Sequence, residues 1–184
     1  MTADPSAQVT KIRYTDRPLP PYRFVPGQAP HPTRDPQGHS YNQHPERLVA
    51  FEDEDWCDCN EYLYGIDLFN HEYWWEAHEA LEAVWVAAGR RTETGLFIQG
   101  LIQIAVAHLK WFQEFHDTAK RMALDGLGKI PCTNVIRLGI ELATFRDDVE
   151  AYFAGKSATP VNICLCFPQG RKLSKPATAA IPGR

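Results

Sequence analysis

The chain has 184 residues, 44% of them hydrophobic, with 19 basic and 23 acidic side chains and a net charge of −4. That length suits one domain plus an extension, and the apolar fraction suffices for a sizeable core. The charge balance lacks the basic stripe of a general nucleic-acid binder, so no nucleic-acid partner is expected.

Residues 1–45 are rich in proline and histidine, as in "RPLPPYRFVPGQAPHPTRDPQGHSYNQHP". Proline fixes φ and removes a donor, so no regular helix or central strand is expected there. Tyr14, Tyr22, Phe24, Val25 and Tyr41 make the segment too apolar for a solvated tail. It reads as an extended arm packed on the domain. Its start has no apolar run of signal-peptide length, and the expectation is a cytoplasmic protein.

Pro45 can open a short helix through "PERLVAFEDEDW", and "CNEYLYGIDLFN" reads as a second, with Asn60 as its cap. Asn70 interrupts the chain and can cap the next helix, from about Glu72 to Ala88. There Trp74, Ala77, Leu81, Val84, Trp85 and Ala88 recur at steps of three and four on one face. Gly89 suits its stop, and Thr92 can cap the helix that follows, to about Phe115.

That following helix is apolar on most of its circumference and reads as the central one. Gln99, Gln103, His108 and Lys110 make it too polar for a comfortable membrane span, and no membrane partner is expected. Gly100 and Ala107 would let a neighbour approach closely. His108 lies on the apolar side and reads as a satisfied core residue. A shorter helix over 117–130 ends at Gly128 before Pro131. A last one spans 134–155, with Leu138, Leu142, Phe145, Val149 and Phe153 inward and Gly155 as its stop. In the tail, "VNICLCF" can dock as a short strand or coil. The fold expected is all-α: an arm over 1–45, a compact helical bundle over 46–155, and a C-terminal tail over 156–184.

The five cysteines include two Cys-x-Cys pairs, Cys57/Cys59 and Cys164/Cys166. Zinc sites prefer Cys-x2-Cys, so these read as reduced thiols. A site from both pairs would need two distant segments to meet.

The chemistry concentrates on "EYWWEAHEALEAVW", residues 72–85. His78 sits at the edge of the apolar face, and Glu82 lies one turn later, within reach. Three readings stay open. In the first, His78 and Glu82 ligate a divalent transition metal, and Glu79 is the general base beside a metal-bound water. "HEALE" resembles the zincin helix, but Glu82 stands at the second histidine's place. No Glu-x-x-His pair occurs, so a ferritin-like dinuclear site is not supported.

In the second reading, His78 and Glu82 form a hydrogen-bonded pair within a non-catalytic scaffold, with Gln99 and Gln103 facing them across an antiparallel helix pair. That scaffold would self-associate through exposed aromatics, as a homodimer. In the third, the set binds a small molecule or another chain. Gln99 and Gln103 would then contact the ligand, and Trp74, Trp75, Trp85 and Trp111 would wall the pocket. From the arm, His31 or His39 could complete a metal site begun by His78 and Glu82.

"LYGIDLFNHEYWWEAHEALEAVW" followed by "GLFIQGLIQIAVAHLKW" resembles the domain of unknown function family 309. Its members show Phe-Asn, then Trp-Glu-Ala-His-Glu with a Glu-x-x-Trp, then Gln-Gly-Leu-Ile-Gln-x-Ala after a turn. The matching positions run from Phe69 and Asn70 through Trp75–Glu79, Glu82 and Trp85 to Gln99–Gln103 and Ala105. The likeness covers about residues 62–125, and bacterial members with a similar arm extend it over 18–40. Members often carry Gly where His71 and Glu72 stand. The resemblance implies a small all-α bundle and no established activity, substrate or cofactor.

Overall fold

The computed structural model describes residues 11–43 and 48–169. A 3-10 helix, Asp53–Asp58, leads into α1 (Asn60–Asn70), α2 (Trp74–Ala87), α3 (Glu93–Phe112) and α4 (His116–Leu127). A two-stranded hairpin of β1 (Ile136–Arg137) and β2 (Ile140–Glu141) precedes α5 (Leu142–Phe153). Among the described residues the fold is therefore all-α apart from this hairpin. The expected helix start at Pro45 lies outside the described residues, and Leu48–Glu52 is not helical.

α3 is the central helix. By length and composition it could cross a membrane, yet here it packs within the bundle, with Phe97, Ile98, Leu101 and Ile104 fully buried. The rings of Trp74, at the start of α2, and Phe112, at the end of α3, lie 6.0 Å apart, so the two helices run antiparallel. Their turn uses the expected signals. Gly89 has φ +82°, and the Thr92 side chain accepts from the Gly95 N–H. On its other side α3 meets α4 through two glycines. A Cβ on Gly100 would stand 2.9 Å from the Gly126 carbonyl oxygen.

Two caps differ from expectation. Cys59, not Asn60, precedes α1, and Asn70 is that helix's last residue rather than the next one's cap. Asn70 is buried and exchanges two hydrogen bonds with the backbone of Ile163, at 2.8 and 2.7 Å. The α1–α2 turn instead puts Glu72 at φ +69°, a conformation that glycine adopts at no steric cost.

The predicted helix over 134–155 forms only from Leu142. Leu138 and Gly139 both take positive φ, +47° and +80°, and make the tight turn of the β1–β2 hairpin. A turn residue and helical residues thus share one buried face, which is why the spacing misled. Within "VNICLCF", Val161, Ile163 and Leu165 are buried and Cys164 and Cys166 exposed, and Leu165 bridges to Ile140. This is the docked extended segment, alternating in and out as a strand does.

The arm packs on α1 and α2. The fully buried Asp67 carboxylate of α1 accepts from the Tyr14 N–H (2.6 Å), the Thr15 N–H (2.9 Å) and the Thr15 hydroxyl (2.7 Å), and it pairs with Arg13 Nε at 3.1 Å. Three hydrogen-bond donors and the Arg13 charge on one buried carboxylate supply the partners that its own charge requires. Tyr14, Phe24 and Val25 join the core, whereas Tyr22 is half-buried and Tyr41 exposed.

Candidate functional site

The polar residues of α2 and its surroundings divide into a structural set and a residual set. Glu76 belongs to the first. Its side chain is only 5% exposed, and Oε1 accepts from the Phe24 N–H (2.9 Å) and meets His39 Nε2 (3.1 Å). Oε2 is buried without a hydrogen-bond partner among the described residues. His39 is itself 6% exposed, and its Nδ1 lies 2.8 Å from the Ser40 hydroxyl. His39 therefore holds the arm to α2 and does not join His78 and Glu82. Sequence reasoning gave Glu76 no role; its burial follows only from where the arm lies.

The residual set is His78, Glu79 and Glu82, whose ligand atoms all lie within 4.8 Å of one another. His78 Nδ1 is 3.4 Å from Glu79 Oε1, and Nε2 is 3.9 Å from Glu82 Oε2. The imidazole thus stands between two carboxylates, one facing each nitrogen. Exposures of 28%, 43% and 46% leave all three within reach of solvent. Partial burial raises the Glu79 carboxyl pKa. The Glu82 and Glu76 charges push the same way, while His78 and His31 oppose them.

His31 approaches this set from the arm. Its ring packs edge-on to Trp75 at 5.3 Å and lies 5.0 Å from Phe24. Trp75 is thereby covered by the arm rather than forming a wall open to a ligand. Trp85 is half-buried beneath the Arg90 guanidinium at 5.0 Å. Two surface cavities of about 450 Å³ lie elsewhere. One is bordered by Trp56, Arg137 and Phe167, the other by Lys129 and Arg146 at the end of α4.

Gln99 and Gln103 do not face His78 and Glu82. Gln103 Oε1 accepts from Lys129 Nζ at 2.9 Å, beyond α4. Gln99 precedes His108 by nine residues, about 180° around a helix. His108 stacks on Trp74 of α2 at 5.4 Å, so Gln99 points away from α2. The short α2–α3 turn does bring the helices together, but by their apolar faces.

His108 is in the core, as expected, but it is not satisfied. Neither ring nitrogen has a hydrogen-bond partner among the described residues, and Phe69, Trp74, Tyr152 and Phe153 surround the ring. Burial alone lowers its pKa to about 3, which keeps it neutral.

The two Cys-x-Cys segments do meet, with Trp56 and Phe167 in ring contact at 5.0 Å. Among the described residues, however, His78, Glu79 and Glu82 are the one group of three or more potential ligands close enough for an ion.

No curated protein gives a significant match to the chain. The family model described as Domain of unknown function (DUF309) matches residues 62–122, from α1 into α4, about a third of the chain.

Proposed function

We propose that the protein binds one divalent transition-metal ion at His78, Glu79 and Glu82. The observation that supports this reading is the division just described. Asn70, Asp67 and Glu76 are spent on the arm and tail, whereas His78, Glu79 and Glu82 meet mainly one another, at the surface. A neutral imidazole beside carboxylates suits zinc, iron or manganese.

The distances suggest roles. Two ligands each about 2.1 Å from a tetrahedral ion stand about 3.4 Å apart, the separation of His78 Nδ1 and Glu79 Oε1. In this reading those two atoms ligate the ion. Glu82, on the Nε2 side, takes the other ring N–H and orients the imidazole, as carboxylates do behind metal-bound histidines. Glu79 is then a ligand rather than a general base. Hydrolysis would need another base, so the activity proposed is metal binding.

The scaffold reading also has support. Asp67 and Glu76 are buried carboxylates whose hydrogen bonds hold the arm to the bundle. Metal analysis of protein purified without a histidine tag separates the two. One bound ion per chain, lost in His78→Ala and Glu79→Ala without unfolding, supports the site. Absence of stoichiometric metal, together with a His78→Ala protein that merely melts earlier, would leave the scaffold.

A further inference from the structure

Phe24 and His39 lie fifteen residues apart, yet both bond to the same oxygen, Oε1 of Glu76. The chain between them is a closed loop whose ends meet on one carboxylate of α2, the form of an Ω-loop. It is pinned within as well. The Tyr22 hydroxyl donates to the Pro30 carbonyl (2.8 Å) and accepts from the His39 N–H (3.3 Å), and the Ser40 N–H bonds the Pro32 carbonyl at 3.0 Å. A Cβ on Gly38 would sit 2.3 Å from the His31 carbonyl oxygen, so the two sides of the loop are in contact.

This loop carries His31. Glu76, which closes it, lies three residues before Glu79 on α2, and Trp75, which His31 covers, lies four before. Residues three and four apart share a helix face, so the loop sits beside Glu79. Thr33 occupies Nδ1 of His31, through its backbone N–H at 3.3 Å and its hydroxyl at 3.4 Å. Nε2 is the nitrogen left for a ligand.

We infer that the loop is a strap which shifts on metal binding to bring His31 Nε2 onto an ion at His78 and Glu79. His31 stands beside the group whose ligand atoms lie within 4.8 Å of one another, but outside it. The inference rests on the metal reading above and adds the arm to it. The bound ion would then have two imidazoles and one carboxylate, a set known for open-sided transition-metal sites. Glu76 and His39 are positioning residues: they fix the ends of the strap and do not touch the ion.

Isothermal titration with Co²⁺ and with Zn²⁺ tests this on the full chain, alongside His31→Ala, His39→Ala and His78→Ala. Hydrogen exchange of residues 26–38 is followed with and without Zn²⁺. The expected result is a wild-type complex whose affinity falls roughly 10-fold or more in His31→Ala. His78→Ala should abolish binding. Zn²⁺ should slow exchange in the strap of the wild type and not of His31→Ala. His31→Ala at unchanged melting temperature separates ligation from folding. Wild-type affinity in His31→Ala, with no metal-dependent protection, overturns the strap and leaves the site. A wild type that binds neither ion overturns both.

Discussion

His39 Nε2 and Glu76 Oε1 lie 3.1 Å apart with both side chains almost wholly buried. The contact joins residues 37 positions apart and ties the arm to the helix that carries the candidate metal ligands. Truncating one member leaves the other polar and buried, a loss that typically costs about 3 kcal/mol. Glu76→Ala also strands the Phe24 N–H. It should lower the urea midpoint by a corresponding amount and speed trypsin cleavage at the exposed Arg34. An unchanged cleavage rate would show that the arm is held elsewhere.

Asn70 plays the same part for the tail. Its amide satisfies both backbone groups of Ile163, and all three are buried. Asn70→Ala leaves the buried Ile163 N–H unpaired and its carbonyl with only the Tyr14 hydroxyl at 3.3 Å, for a loss of about 1–3 kcal/mol. Asn70→Asp keeps the shape but loses the donor to the Ile163 carbonyl, so it should not restore stability. Thermal unfolding of both variants checks this.

Gly139 and Gly27 share a positive φ, +80° and +82°, but not their surroundings. A Cβ on Gly139 would meet the Trp56 ring at 2.4 Å, whereas Gly27 has nothing within 4 Å. Gly27→Ala should therefore cost only backbone strain, about 1 kcal/mol. Gly139→Ala adds a steric clash of about 1–3 kcal/mol and should shift the Trp56 fluorescence.

His108 makes the acid stability of the protein predictable in sign. Burial lowers its pKa to about 3 in the folded state, against about 6.5 in the unfolded chain. Between those values the unfolded chain binds a proton that the native protein does not. Its contribution is thus fully present above pH 6.5 and lost as the pH falls towards 3, by about 1.4 kcal/mol per pH unit. His108→Leu removes two unsatisfied nitrogens. It should be neutral or stabilising at pH 7 and flatten the stability profile between pH 6 and 4. An unchanged acid limb in urea titrations would show that other groups set it.

Much of the bundle was legible because local signals and burial agreed. Gly89 and Thr92 mark a turn by backbone conformation and by capping, and the helices on either side end and begin there. The apolar stripe of α2 reads directly as Trp74, Ala77, Leu81 and Val84, all buried. The hairpin was hidden because Leu138 continues the spacing of the α5 core residues while its own backbone turns the other way. The glutamines of α3 were placed by proximity along the chain. Their direction is set by rotation about the helix axis, and α4 claims Gln103 through Lys129.

For the site, the sequence alone determined that Glu82 lies within reach of His78 and Glu79, because residues three and four apart on a helix are neighbours. It likewise determined the all-helical class, through periodicity and stop signals. Only the tertiary structure decided which polar residues were left for a ligand. His39 went to Glu76, Gln103 to Lys129, and His31 to the side of Trp75. Those partners are distant in sequence, and each pairing depends on which buried group most needs a donor or acceptor once the chain is packed.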